Sequence, residues 1–369
     1  MKAIGIIAEF NPLHNGHIEH INKTKEINNN IICIMSGNFV QRGEPAIIDK
    51  WKRTYMALTA GIDIVIEMPV SYVISGADYF ARAGINILSK TGIVDSICFG
   101  SESGDINDIK HIGDFLANET DEYKKALHNA LNLGLSFPKA REQALESCIN
   151  ISDKGLFYEP NNCLAIEYCK AIFNTNIKPY TTHRISGGPS ATSIRKNFIK
   201  EKNSMPDYVY NILIDNKFLS IDDFNKIFKY AALTTGIESS EGLENRFMQN
   251  LRKYDKIHDI IKAVKTKRYT YTRLQRIIIK TILNIKNKKM TAYENLDGPR
   301  YIRVLGFRRQ SANILSELVK HAKLPVITHN KTINQLHGTA LEMLKDEYLA
   351  SDIYNLVLGE FSNEQMVIV

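Results

Sequence analysis

Ala3-Ile4-Gly5-Ile6-Ile7-Ala8-Glu9-Phe10-Asn11-Pro12-Leu13-His14-Asn15-Gly16-His17 is the stretch that decides the fold. Its first half is a continuous apolar run, as expected of a strand buried on both faces. Residues 18–27 then read as a helix. A buried strand thus delivers two histidines and a glycine to the mouth of a helix. Helix N-termini carry unpaired N–H groups and partial positive charge, which suits a phosphate. Gly16 leaves the backbone open to close approach. His14 and His17 can donate imidazole N–H groups to phosphate oxygens as charge builds there. The junction predicts attack on the α-phosphate of a nucleotide. Two helix-start caps or a metal pair are the other readings of the histidines. Neither accounts for the glycine or the apolar strand, and with no third ligand adjacent no metal site is expected.

Working outward, strand-like runs at 3–9, 31–36, 62–67 and 95–100 alternate with helix-like segments at 18–27, 50–60 and 79–90. That alternation predicts an α/β fold, a Rossmann-like parallel sheet covered on both faces. Ligands of such sheets sit beyond the C-terminal strand ends at a switch point, where His14, His17 and Gly100 fall. The absence of a Walker A sequence excludes a P-loop. Residues 106–169 read as mainly helical, and 178–185 as a strand rejoining the sheet. Residues 186–196, rich in glycine, proline and hydroxyls, read as a loop entering another helix. Beyond about residue 205 the periodicity is helical, apart from 299–307 and 324–328. Two domains are expected: a catalytic domain over 1–204 and a basic, mostly α-helical C-terminal domain over 205–369.

The 44% hydrophobic content fits a globular protein with a substantial core. No apolar run approaches the ~20 residues needed to span a bilayer, and the N-terminus lacks a signal-peptide layout. Five cysteines without a CxxC pair suggest neither a disulfide framework nor a zinc knuckle, so a reduced, cytoplasmic protein is expected. Net charge is +7, unevenly spread: residues 245–323 hold twenty Lys and Arg against five Asp and Glu. Such asymmetry predicts a polyanionic partner, and nucleic acid is favoured over a merely solvated basic face. Arg273, Arg276 and Lys280 share one helical face while Leu274, Ile278, Thr281 and Ile282 turn another way. Lys50, Lys52 and Arg53 open a helix whose dipole they oppose, so a bound anion or RNA phosphate is expected beside them.

Further constellations flank the histidines. Ser36-Gly37-Asn38-Phe39-Val40-Gln41-Arg42-Gly43-Glu44-Pro45 suits a loop that closes over a small substrate or phosphates. Asn161 and Asn162 precede an apolar helix, as caps or as amides for an adenine edge or ribose hydroxyl. Arg184 ends the late strand, either clamping phosphate or making a structural ion pair. Ser193, Arg195 and Lys196 form a second candidate phosphate cradle, offering positive charge for departing pyrophosphate.

Together these pieces, with Phe99-Gly100-Ser101-Glu102, Lys178-Pro179-Tyr180-Thr181-Thr182 and Ser190-Ala191-Thr192-Ser193-Ile194-Arg195-Lys196, resemble the bacterial tRNA(Met) cytidine acetate ligase family. That family lies within the His-x-Gly-His nucleotidyltransferase superfamily, shared with class I aminoacyl-tRNA synthetases. The resemblance is strong over 1–200 and looser beyond, where it rests on Val304-Leu305-Gly306-Phe307 and Leu324-Pro325-Val326-Ile327-Thr328. It implies that ATP and acetate form acetyladenylate, and that acetyl then passes to N4 of the wobble cytidine of elongator tRNA(Met). It further implies ATP, with Mg2+, held by Ile7, Ala8, Glu9, Phe10, Asn11, Pro12, Leu13, His14, Asn15, Gly16, His17, Ile18, Glu19, His20, Gly100, Asn161 or Asn162, and Arg184. No obligate protein partner is implied. In one departure, the family carries a longer, more acidic segment where only residues 185–192 stand here. A nucleotidyltransferase acting on a phosphorylated metabolite leaves the basic region unexplained. A non-catalytic RNA-binding protein leaves the paired histidines unexplained.

Overall fold

The computed structural model describes residues 2–150, 156, 159–184, 190–239, 242–267, 269–361 and 364–369. Ten strands occur among them: β1 (Ala3–Ala8), β2 (Ile31–Ser36), β3 (Phe39–Val40), β4 (Glu44–Pro45) and β5 (Ile64–Met68). The others are β6 (Val94–Ser101), β7 (Lys178–His183), β8 (Ile302–Phe307), β9 (Val326–Ile327) and β10 (Val367–Ile368). The main sheet runs β10-β8-β5-β2-β1-β6-β7, with β9 also on β8, while β3 and β4 pair as a separate hairpin. From β5 to β7 every pairing is parallel. The apolar runs of β1, β2 and β5 suit this position because helices cover both faces. Ile4, Ile6, Cys33, Met35 and Val65 face one core, with Ile21 of helix α1 (Asn15–Ile27) and Met56 and Leu58 of helix α2 (Lys50–Thr59). Ile32, Ile34, Ile64 and Ile66 face the other, against the helix Ala77–Lys90. The chain leaves β1 toward β2 and β5 on one side and returns to β6 and β7 on the other, so the switch point lies at the C-terminal end of β1.

The expected division at 204/205 does not divide the sheet. β8, from beyond that point, pairs antiparallel with β5, and β9 and β10 extend its outer side. The helical block between them includes Tyr271–Ile282, and the chain then completes the same sheet. Gly306 allows this: a side chain there would collide with the Val367 carbonyl and Thr54. No helix of the described residues is long and apolar enough to cross a membrane.

Candidate active site

β1 ends at Ala8, and Phe10 through Leu13 form a tight bend into α1, whose N-cap is His14. Asn11 fixes the bend by accepting the Ile47 N–H on Oδ1 at 2.9 Å. The rings of His14 and His17 stack with centroids 3.7 Å apart, and Phe10 meets His17 edge-on at 5.1 Å. His17 Nδ1 accepts the backbone N–H of His14 at 3.2 Å. In the neutral ring the proton therefore sits on Nε2. Burial pushes the His14 pKa down to about 4, with the Arg184 charge adding to the effect. Burial, then the neighbouring His14 and Arg184, holds His17 well below the usual histidine range. Both rings are thus neutral N–H donors at pH 7. A side chain on Gly16 would stand 3.1 Å from His14 Cε1 and press the ring out of place.

His20, one turn further along α1, is held through Nδ1 to Thr182 Oγ1 at 2.7 Å and by a hydrogen bond to the Cys98 carbonyl. Its pKa is pushed down to about 4, chiefly by burial. Thr182 lies on β7, beyond any local pattern the sequence offered. Arg184 follows β7 directly, is exposed, and has its backbone N–H on the Ser101 carbonyl at 2.8 Å. Its Cγ approaches Gly100 closely, and its charge depresses all three histidines. Gly100, Arg184 and the histidines thus share one corner of the sheet.

Asn162 is buried and its Oδ1 accepts the N–H groups of Glu102 and Ser103 at 2.9 and 3.2 Å. Glu102 in turn accepts from the Asn161 side chain and from the Asn162 N–H at 2.9 Å. The asparagines thus join the β6 end to the start of the helix Pro160–Ile172, while Glu102, and not an asparagine side chain, accepts the N–H groups of Asn161 and Asn162 at the helix start. Glu102 is the unforeseen partner. On the opposite side, Arg195 donates from Nη1 to the Asn11 carbonyl at 2.8 Å. Ser190 caps the helix by accepting the Ser193 N–H on Oγ, the Ser193 hydroxyl donates to the Ser190 carbonyl, and Lys196 is exposed. Residues 185–189, the start of the short segment, lie outside the described residues.

Segment 36–45, the expected closing loop, is held at two points. Its hairpin β3–β4 offers Gln41 N–H to Glu9 Oε1 at 2.7 Å, and Gly43, with φ of +77°, lies against the backbone of Gln275 and Arg276. The basic helix therefore packs against this hairpin. Arg273 is exposed, and its guanidinium stands 4.9 Å over the Tyr269 ring. Arg276 and Lys280 are half-buried. Burial, then the adjacent cation of the same face, lowers the pKa of each.

The cations at the start of α2 do not meet an external anion. Lys50 is fully buried on Glu67 Oε1 at 2.9 Å, Glu364 Oε2 at 3.1 Å and Ser351 Oγ at 2.8 Å. Arg53 is fully buried and donates to the carbonyls of Glu9, at 2.7 Å, and Gly37. The expected RNA contacts at Lys50 and Arg53 are corrected accordingly: internal carboxylates and carbonyls satisfy them, and no phosphate can reach them. Lys52 remains partly exposed, paired with its N-cap Asp49 at 2.5 Å.

The comparisons agree with this geometry. Residues 1–367 match the family model described as HIGH Nucleotidyl Transferase. The chain is 37% identical to the tRNA(Met) cytidine acetate ligase of Clostridium perfringens (97% of this chain, 96% of that one). It is 40% identical to that of Thermoanaerobacter sp. (96% and 95%). The chain belongs to the tRNA(Met) cytidine acetate ligase family. Among solved structures, TmcAL of Thermotoga maritima bound with alpha-thio ATP superposes with a TM-score of 0.89 at 32% identity, covering 100% of this chain and 97% of that one. Its apo form gives 0.92 at 30% identity, with full coverage of both. The family's match extends through the closing strands, so the looser resemblance beyond residue 200 spans the rest of the chain.

Proposed function

We propose that this enzyme activates acetate with ATP as acetyladenylate and transfers the acetyl group to N4 of the wobble cytidine of elongator tRNA(Met). The carrying observation is one corner of the sheet where two neutral, stacked histidines meet Arg184, with Arg195 bonded to the same bend. In the first step an acetate oxygen attacks the α-phosphorus of ATP and pyrophosphate leaves. Negative charge grows on the phosphate oxygens, where the histidine N–H groups stabilise it as preorganised donors. Arg184 and Arg195 balance the phosphate charge from outside the histidine pair. Neutral histidines suit the task, because a donor that starts uncharged does not draw in the acetate as a competing ion pair. Mg2+ belongs to the same proposal. No cluster of three or more metal-ligating side chains occurs among the described residues, so the phosphates and water would hold it.

In the second step cytosine N4, a weak nucleophile because its lone pair is delocalised, attacks the mixed anhydride and AMP leaves. Arg273, Arg276 and Lys280 are proposed to hold the tRNA backbone beside this edge, since Gly43 of the hairpin rests on their helix. Acetate-dependent exchange of pyrophosphate into ATP, measured across a panel of carboxylic acids, tests the first step. Exchange with acetate and none without acid is expected. Exchange driven by a different acceptor would overturn the reading.

A further inference from the structure

Between the basic helix and the histidine bend lies an acidic side chain that the adenylation scheme has not used. Glu44, on β4, accepts from Gln275 Nε2 on Oε1 at 2.7 Å. Its Oε2 faces Arg195 Nη2 at 3.7 Å. Arg195 in turn bonds the Asn11 carbonyl at 2.8 Å and Thr192 Oγ1 at 3.3 Å. We propose that Glu44 is a positioning residue for adenylate formation, holding Arg195 on the histidine bend from the helix that carries Arg273, Arg276 and Lys280.

Several observations converge on this role. Gln275 is 2% exposed, so its amide is fixed and fixes one carboxylate oxygen. The hairpin bearing Glu44 cannot drift: Glu9 holds it at Gln41, and Gly43 admits the helix backbone where any side chain would collide. Arg195 sits half-buried beside a second cation, Arg42, and both burial and that neighbour disfavour its charge. Glu44 is its partner of opposite sign at ion-pair distance. A contact of 3.7 Å is loose enough for the guanidinium to pivot toward a phosphate while the carboxylate limits how far it swings. Three contacts in series, Gln275–Glu44, Glu44–Arg195 and Arg195–Asn11, give the basic helix a physical connection to the histidine bend, by which docking of RNA can bear on the first half-reaction.

The proposal rests on the reading of Arg195 as a phosphate residue, and the test separates the two. Acetate-dependent ATP–pyrophosphate exchange is measured on the full chain without tRNA for Glu44→Gln, Arg195→Ala, the double variant and Gln275→Ala. Glu44→Gln keeps an acceptor for Gln275 but loses the charge facing Arg195. It should raise KM for ATP roughly tenfold, the scale of one charge-assisted contact, with a smaller change in kcat. Added to Arg195→Ala it should cost nothing more, because its target is gone. Gln275→Ala should act in the same direction and more weakly, and Glu44→Asp should recover part of the loss. Normal KM in Glu44→Gln with an impaired Arg195→Ala overturns the inference and leaves the reading of Arg195 standing. Full additivity in the double variant also overturns it, since Glu44 would then act elsewhere. Unimpaired Arg195→Ala overturns the reading and the inference with it. If Glu44→Gln fails to fold, Gln275→Ala carries the same comparison from the other end of the clamp.

Discussion

Two cationic groups in this chain look alike in sequence and end in opposite environments. Lys50 and Arg53 lie inside, enclosed by Glu67, Glu364 and the carbonyls of Glu9 and Gly37. Arg273, Arg276 and Lys280 line one helical face that repels itself, and among the described residues no acid forms an ion pair with Arg276 or Lys280. The first group closes the structure, because Arg53 ties together the ends of β1 and β2 just below the histidines. In the second, Arg273 is exposed and Arg276 and Lys280 are half-buried, and we propose that this face takes the tRNA backbone. Local charge density cannot separate these fates, since the partners of Lys50 come from β5 and from near the C-terminus. A cation's meaning is set by which acids the topology brings to it.

The largest effect should come from exchanging the two groups' treatments. Lys50→Met would leave Glu67 and Glu364 sharing the single cation Arg303, with one buried negative charge unbalanced, a loss of about 3–5 kcal/mol for a broken buried pair. We expect a large fall in Tm and loss of both half-reactions together. Charge reversal at Arg273, Arg276 and Lys280 should instead leave Tm and acetate-dependent exchange largely intact and abolish acetylation of tRNA. Retained tRNA acetylation in that triple variant would break the comparison and move the RNA site elsewhere. In the wild type, tRNA affinity should fall steeply with salt, and the triple variant should flatten that slope.

Next in size, His14→Ala and His17→Ala should each lower adenylate formation by roughly 10²-fold, the scale of one lost transition-state donor. ATP affinity should fall much less. Their Tm should barely change, the reverse of Lys50→Met. Near-normal acetyladenylate synthesis in both would make the pair structural. Arg184→Ala should be milder, showing mainly as a raised KM for ATP, because its side chain is exposed and free to be replaced by solvent.

The histidine pair was legible because the elements that place it are local: an apolar run, a bend, a glycine and a helix start within fifteen residues. The strands β1, β2, β5 and β6 were legible for the same reason, being continuous apolar runs between amphipathic helices. The closing edge was not. β9 and β10 are two residues each, too short for any period, and β8 pairs with a strand more than 230 residues earlier. Glu102 and Thr182 lie in segments that carried the family resemblance, but their roles were not legible because each acts through a partner on another element, Asn162 and His20. The charge pattern treated the helix Tyr271–Ile282 and the start of α2 alike and could not foresee the buried ion pairs of the latter. In both, the deciding contact is long-range.

The smallest effect concerns pH, and it pits the histidine corner against the buried cluster around Lys50. His14 and His20 titrate near 4 in the fold, and His17 well below its usual range. In the unfolded chain each returns to about 6.5. Between those values the unfolded chain binds more protons, so their share of stability is complete above pH 6.5 and drains away as pH falls toward 4. Glu347 behaves oppositely. It is buried with one oxygen on the Val70 N–H at 2.6 Å, and burial, then the charge of Glu67, holds its pKa well above the carboxylate range. A raised carboxyl favours the fold most below its unfolded pKa, and that contribution is lost as pH climbs. Glu347→Gln, uncharged at every pH, should therefore be tolerated and should raise Tm relative to wild type more at pH 8 than at pH 5. His14→Gln with His17→Gln should flatten only the acid limb, from 6.5 down to about 4. Thermal melts of the three proteins across pH 4 to 8 decide the matter. If Glu347→Gln shifted the acid limb instead, Glu347 would be ionised in the fold and the Lys50 cluster would carry an excess negative charge. The closed group would then no longer be balanced from within, and its contrast with the face of Arg273, Arg276 and Lys280 would lose its basis.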